Sequence, residues 1–260
     1  MNIFKKLYKY REFLKTNVKK EMRGKYKKSF FGILWSFLNP LLQLAVYAII
    51  FPYILKVQQD NYLIFLCVAL IPWTFFVTTI TQASSTIIVN GNIVKKVYFP
   101  REILPISVVT SGTYNFLIST LIILVFIMFS GIGFTLNILF YPLILMIQYL
   151  LLLGLSFILS AVTVFFRDIE HFIGIFLMAL FYATPIVYNK TAIDEMPKLF
   201  SMILNINPMT QIINGYRDIF YYQVLPDFKS LGILFLVTII ICVIGYRIFN
   251  RLQKKFAEEI

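Results

Sequence analysis

The sequence predicts an all-α integral membrane protein with six transmembrane helices, an N-terminal amphipathic interface helix, and short outer re-entrant helices between spans five and six. Three observations predict this. Hydrophobic residues make up 59% of the 260 and charged residues only 14%, where a soluble domain carries roughly a quarter charged residues; mean hydropathy is +0.80. Six runs nearly free of charge are long enough to cross a hydrocarbon layer about 30 Å thick: Phe31–Leu55, Tyr62–Ile88, Ile103–Phe129, Ile138–Phe166, Phe172–Tyr188 and Leu231–Phe249. Finally, nineteen of the 24 Lys and Arg fall in residues 1–30, the loop 89–102, Arg167 and the stretch 247–255. Such an excess marks the cytoplasmic side, so both termini are expected there. The net charge of +12 then reports topology, and no nucleic-acid partner is needed to explain it.

Taken in order, residues 1–30 form the interface helix. Phe4, Leu7, Leu14, Val18 and Met22 recur near one helical face, and Lys5, Lys9, Lys19, Lys20, Arg23 and Lys27 fill the rest. That pattern suits a helix lying in the inner headgroup layer and drawn to membrane lipids; the plainer alternative is a topology signal. No cleavable signal peptide is expected, because the first apolar run follows this basic stretch. Residues 31–188 hold spans one to five. Between the third and fourth, no charge interrupts residues 103–166, and Ser130, Gly131, Gly133 and Asn137 mark the turn. Pro40, Pro52, Pro72, Pro105, Pro142 and Pro185 lie within or at the ends of spans, where each removes a helix hydrogen bond and favours a kink. The outer segment 189–230 contains two apolar stretches too short to span, Leu199–Ile206 and Met209–Tyr222, broken by Asn207-Pro208. Such lengths fit re-entrant or interfacial helices, acting as a lid over a pathway or as simple anchors. Span six, 231–249, and a cytoplasmic tail, 250–260, complete a single transmembrane domain over 1–260.

The chemistry the chain lacks is informative. Cys67 and Cys242 both sit in apolar runs, and His171 is the single histidine, so neither a disulfide framework nor a multi-histidine metal centre is expected. The spans hold no acidic residue away from their ends, unlike ion-coupled transporters, which keep titratable groups in the membrane. No phosphate-binding G-x-x-x-x-G-K-[ST] loop occurs. Any ATP hydrolysis would therefore belong to a separate chain docked on the cytoplasmic side. The loop 90–102, ending in Tyr98-Phe99-Pro100-Arg101, is the best landing surface, though it also reads as an ordinary positive-inside loop. Asp60, Asp194, Glu195, Asp218 and Asp227 form no acid–base pattern, so no catalytic residue is expected. Trp35, Phe37, Tyr47, Trp73, Phe75 and Phe76, interspersed with Asn39, Gln43 and Thr74, offer faces on which sugar rings could stack and slide.

Six signatures in order then carry a resemblance. They are Lys25-Tyr26 through Ser29 and Gly32 to Trp35 with Asn39-Pro40; Ile71-Pro72-Trp73 to Phe76; Val94 to Tyr98-Phe99-Pro100-Arg101-Glu102; Phe165-Phe166-Arg167-Asp168-Ile169; Thr184-Pro185-Ile186-Val187-Tyr188; and Asn207-Pro208. The chain resembles the membrane subunits of ABC-2 type polysaccharide exporters, the O-antigen, capsule and wall teichoic acid permeases. The resemblance implies a homodimer in the bacterial inner (cytoplasmic) membrane, working with two copies of an ABC ATPase subunit that carries the ATP and Mg, and moving a lipid-linked glycan. It implies a coupling segment at Asn92, Lys95, Lys96, Tyr98, Phe99, Pro100, Arg101 and Glu102, and an outer gate including Pro185, Tyr188, Asn207, Pro208 and Arg217. The cytoplasmic motif is Arg167 and Asp168, and the candidate substrate path takes in Trp35, Phe37, Tyr47, Trp73 and Phe76. Two alternatives remain open: an ABC-2 permease for a small lipid or drug, and an ATPase-independent flippase or scaffold.

Overall fold

In hydrocarbon every backbone N–H and C=O must find its partner inside the chain, which leaves helices as the answer for these apolar runs. The computed structural model describes residues 3–26, 30–55, 60–189 and 198–260, and these are helical with no strand among them. The helices are α1 (Ile3–Lys9), α2 (Arg11–Tyr26), α3 (Trp35–Leu55), α4 (Tyr62–Val89), α5 (Gly91–Lys96) and α6 (Ile103–Ser130). They continue with α7 (Tyr141–Phe165), α8 (Ile169–Tyr182), α9 (Lys198–Ile206), α10 (Pro208–Phe220), α11 (Phe228–Leu252) and α12 (Phe256–Glu259). Lys56, Lys190, Asp194, Glu195 and the 27–29 end of the interface segment lie outside the described residues.

Among the described residues, four stretches are long and apolar enough to cross a membrane: Tyr62–Val89, Ile103–Ser130, Leu136–Phe165 and Phe228–Glu259. Two shorter apolar helices, Trp35–Phe51 and Ile169–Tyr182, stand beside them. The fifth expected span differs most from its sequence reading. Its helix stops at Tyr182 instead of running to Tyr188, because Pro185 disfavours helical geometry in the residue before it. The Thr184 hydroxyl turns back to the Leu180 carbonyl at 2.6 Å, and residues 184–187 form a buried turn.

Helix α4 is the axis of the bundle, its side chains buried from Ile64 through Trp73, with α3, α6, α7, α8 and α10 around it. At its interior Pro72, Gln148 donates to the Pro72 carbonyl at 2.9 Å, and Tyr216 donates to Gln148 Oε1 at 3.0 Å, tying α4 to α7 and α10. The tightest seam joins α7 to α11. A methyl group on Gly154 would lie 2.7 Å from the Cys242 nitrogen, and one on Gly245 would strike the Gly154 carbonyl. Only glycine permits such an approach, and in lipid close packing of this kind drives helix association.

The turns follow their side chains. Gly131 ends α6 in the left-handed region at φ 77, which glycine adopts without strain. Asn207 caps α10, accepting from the Met209 N–H, with Pro208 at the first helical position, where its missing N–H costs nothing. Asp227 caps α11 through the N–H groups of Lys229 and Ser230.

The N-terminal helices are not free on a lipid surface. Val18 is buried, and Phe13 and Leu14 pack on the apolar cluster of Ile87, Val94 and Phe99, so this part of the apolar stripe faces protein. The tail is likewise folded. Phe256 is fully buried, and a methyl on Gly91 would lie 2.6 Å from an Ile260 methyl, so residues 253–260 hook back onto α5. Both chain ends therefore meet at one end of the bundle.

Candidate functional site

Three stations occupy successive levels of the bundle. The middle one is a cavity of about 500 Å³ between α3, α4 and α6, within the roughly 300–1,000 Å³ range of ligand sites. Ser36 and Asn39 face it from α3, Thr74, Thr78 and Gln82 from α4, and Gly112, Asn115 and Ser119 from α6, with Trp35, Phe75 and Phe116 as aromatic walls. Ser119 donates to the Ser36 carbonyl at 3.2 Å, and Thr74 reaches Gln43 at 3.4 Å. Asn115 Oδ1 and Thr79 Oγ1 are buried without a hydrogen-bond partner among the described residues; Thr79 stands behind Gly112, 2.5 Å from where a methyl on that glycine would sit.

Of the five expected path residues, only Trp35 lines this space. Trp73 packs on Phe76 at 5.5 Å and on Phe181 at 5.8 Å, Tyr47 meets Phe181 at 5.7 Å, and Phe37 packs against the core. Large aromatic rings gain most by filling helix–helix gaps, so these four hold α3, α4 and α8 together. The side chains that do line the cavity are smaller and polar, and they recur at helical spacing: 36 and 39; 74, 78 and 82; 112, 115 and 119. That stripe is legible in the sequence once polar residues in apolar spans are read for periodicity, as apolar ones are.

The far end of the bundle is clasped by α10. Arg217 is 1% exposed, and its guanidinium donates to the carbonyls of Pro185 at 2.5 Å, Ile186 at 2.7 Å and Tyr188 at 3.4 Å. It also stacks on Phe65, 3.6 Å from the ring centroid, a cation–π contact strengthened by desolvation. Burial pushes its pKa down to about 9, opposed by Tyr222, Tyr62, Tyr221 and Tyr188, so it stays charged at neutral pH. Asn207 donates to the Ala183 carbonyl at 3.1 Å and to the Thr184 hydroxyl at 2.9 Å. The expected outer-gate residues Pro185, Tyr188, Asn207, Pro208 and Arg217 thus form one cluster around the 183–188 turn. Gln223 locks the adjoining loop, donating to the carbonyls of Ile132 and Gly133.

The basic end carries the expected coupling segment, and the structure divides it. Asn92, Lys95, Lys96 and Tyr98 are exposed, Tyr98 at 97%. Phe99 is buried on Phe13 at 4.9 Å. Arg101 donates to the Gln253 carbonyl and lies over Phe256, with Pro100 half-buried beside it. Glu102, 2% exposed, pairs with Lys6 at 3.3 Å. Phe99, Arg101 and Glu102 thus tie the coupling segment to the N-terminal helices and the tail hook, and together with Tyr98 and Pro100 they line an open pocket at this end. Arg167 and Asp168 are exposed in the α7–α8 turn, as is His171 at the start of α8.

Comparison with known proteins decides the family. The model of the ABC-2 type transporter family matches residues 12–221. The chain belongs to the ABC-2 transporter family. It is 35% identical over 261 residues to the O-antigen export system permease protein RfbA of Myxococcus xanthus, covering all of both chains. Two RfbA permeases of Klebsiella pneumoniae are 37% and 38% identical over 240 residues, 92% of this chain and 91% of theirs. This ABC-2 chain is thus a multi-pass membrane transport component.

Proposed function

We propose that the chain is the membrane subunit of an ATP-driven exporter that moves a lipid-linked polysaccharide out of the cytoplasm. The observation that carries this is the uncharged cavity between α3, α4 and α6, walled by hydroxyl, amide and aromatic groups, in a chain whose full-length relatives are named O-antigen permeases. Such walls hydrogen-bond and stack on sugars without holding them at a fixed charge. Helices α3 and α8 act as spans one and five beside the four longer helices, with the basic end in the cytoplasm of the bacterial inner membrane by the positive-inside rule.

Two copies of the chain pair with two ABC ATPase subunits, which bind ATP and Mg and supply the energy. The exposed face of α5 with Tyr98 receives the ATPase, and Phe99, Arg101 and Glu102 pass its movement to the N-terminal helices and the tail hook. At the outer face, α9 and α10 dip into the membrane and gate the exit around the Arg217 clasp. The test is complementation. Co-expressed with its ATPase in a strain lacking its own permease, the chain restores lipid-linked glycan at the cell surface; expression in the membrane without display contradicts the proposal.

A further inference from the structure

We infer that Phe256 and Ile260 are positioning residues: through them the tail hook ties α5 to α7 and α11, so that a displacement of α5 by the ATPase reaches that helix pair. This rests on the export reading above and concerns how its ATP-driven step is transmitted. Along the chain, α5 is joined to α4 through Asn90 and to α6 through residues 97–102, the two helices that border the cavity with α3. Side chains of the hook supply a third link. The Phe256 ring is fully buried, 5.5 Å from Phe249 of α11 and 6.3 Å from Phe165 of α7. Val94 of α5 belongs to the same apolar cluster.

Both ends of α5 are held. At its start, Ile260 seats against Gly91, where a methyl group would lie 2.6 Å from an Ile260 methyl. No left-handed φ calls for glycine at 91; the approach of Ile260 does. Beyond its last turn, Arg101 lies over the Phe256 ring and donates to the Gln253 carbonyl. A tail that only capped α11 would need Phe256 on Phe249 and nothing further, whereas these contacts reach the coupling segment. Close-packed side chains transmit a displacement instead of absorbing it, and packed contacts of this kind carry coupling between distant places. Because α7 and α11 are already locked together at Gly154 and Gly245, the hook makes α5, α7 and α11 one mechanical unit.

The test uses the full chain with its ATPase in inverted membrane vesicles, whose cytoplasmic face is outward, supplied with lipid-linked glycan. Glycan reaching the lumen and ATP hydrolysed are both measured per assembled complex. Phe256→Ala should lower glycan moved per ATP at least fivefold while the complex still co-purifies, with Phe256→Leu recovering most of it. A hook that merely supports folding would reduce the amount of complex and leave glycan per ATP unchanged, and that result overturns the inference. A cross-link gives a second reading that does not depend on how well Phe256→Ala folds. A Cβ at position 91 lies 3.9 Å from the Ile260 Cβ, inside the disulfide range of about 3.5–4.5 Å. Gly91→Cys and Ile260→Cys, in a chain with Cys67 and Cys242 replaced by Ala, can therefore be oxidised without moving the backbone. Full oxidation should keep glycan per ATP within twofold of the reduced state, because the two positions move together. A loss of fivefold or more on oxidation, reversed by reduction, overturns the inference and leaves the export reading standing. No glycan in the lumen from the unaltered complex, with ATP present, overturns both.

Discussion

Helix α7 meets α11 backbone to backbone, whereas α3 meets α4 and α6 across an open, polar-walled space. At the first contact Gly154 and Gly245 leave no room even for a methyl group. At the second, small residues such as Gly112, Ser36 and Ser119 border a cavity of about 500 Å³, bridged by the bond from Ser119 to the Ser36 carbonyl. Interhelical hydrogen bonds in membranes average about 0.6 kcal/mol, so close packing, not polarity, decides which seam is firm. The same kinds of small residue thus build a fixed wall on one side of the bundle and a separable one on the other.

Substitutions can break this contrast at its strongest point first. Gly245→Leu forces a side chain into the Gly154 backbone, and overpacking that neither backbone can relieve should cost about 3 kcal/mol. The measurement is the thermal unfolding midpoint in detergent; an unchanged midpoint would mean the seam is looser than described. Next comes the outer clasp. Arg217→Met strips three carbonyls of a charged donor and should cost about 2 kcal/mol and abolish export, with Arg217→Lys recovering part of both.

At the cytoplasmic face, Arg101→Ala should cost about 1 kcal/mol. It should also lower permease-stimulated ATPase activity severalfold while the complex still co-purifies, because Arg101 holds the tail hook in place. The smallest stability effect is expected in the cavity itself. Asn115→Leu should shift stability by about 0.5 kcal/mol or less yet reduce export at least tenfold. A loss of export matched by an equal loss of folded protein would remove the distinction between the two walls.

The sequence displayed the architecture more openly than the site. Long apolar runs and lopsided basic residues are one-dimensional signals, so four spans, the α9–α10 break at Asn207-Pro208 and the turn at Gly131 were all readable. The end of α8 is not legible from hydropathy, because the helix yields to Pro185 and to a clasp supplied by Arg217 from 32 residues away. The aromatic residues divide in a way that spacing does not show: Trp73, Phe76 and Tyr47 pack between helices, while Trp35 lines the cavity together with Asn39, Thr74 and the rest of the polar stripe. The internal role of Phe99, Arg101 and Glu102 depends on contacts with residues 6, 13 and 253, a pairing that spacing along the chain does not encode.

The central claim is that polymer passes on the α3 side, which requires α3 to part from α6. In a chain with Cys67 and Cys242 replaced by Ala, Ser36→Cys and Ser119→Cys place thiols on the two facing helices, to be joined by a disulfide or a short bis-thiol reagent. The account predicts that joining them stops export and that cleaving the disulfide restores it, with ATPase association unchanged throughout. Undiminished export from a fully cross-linked permease would contradict it.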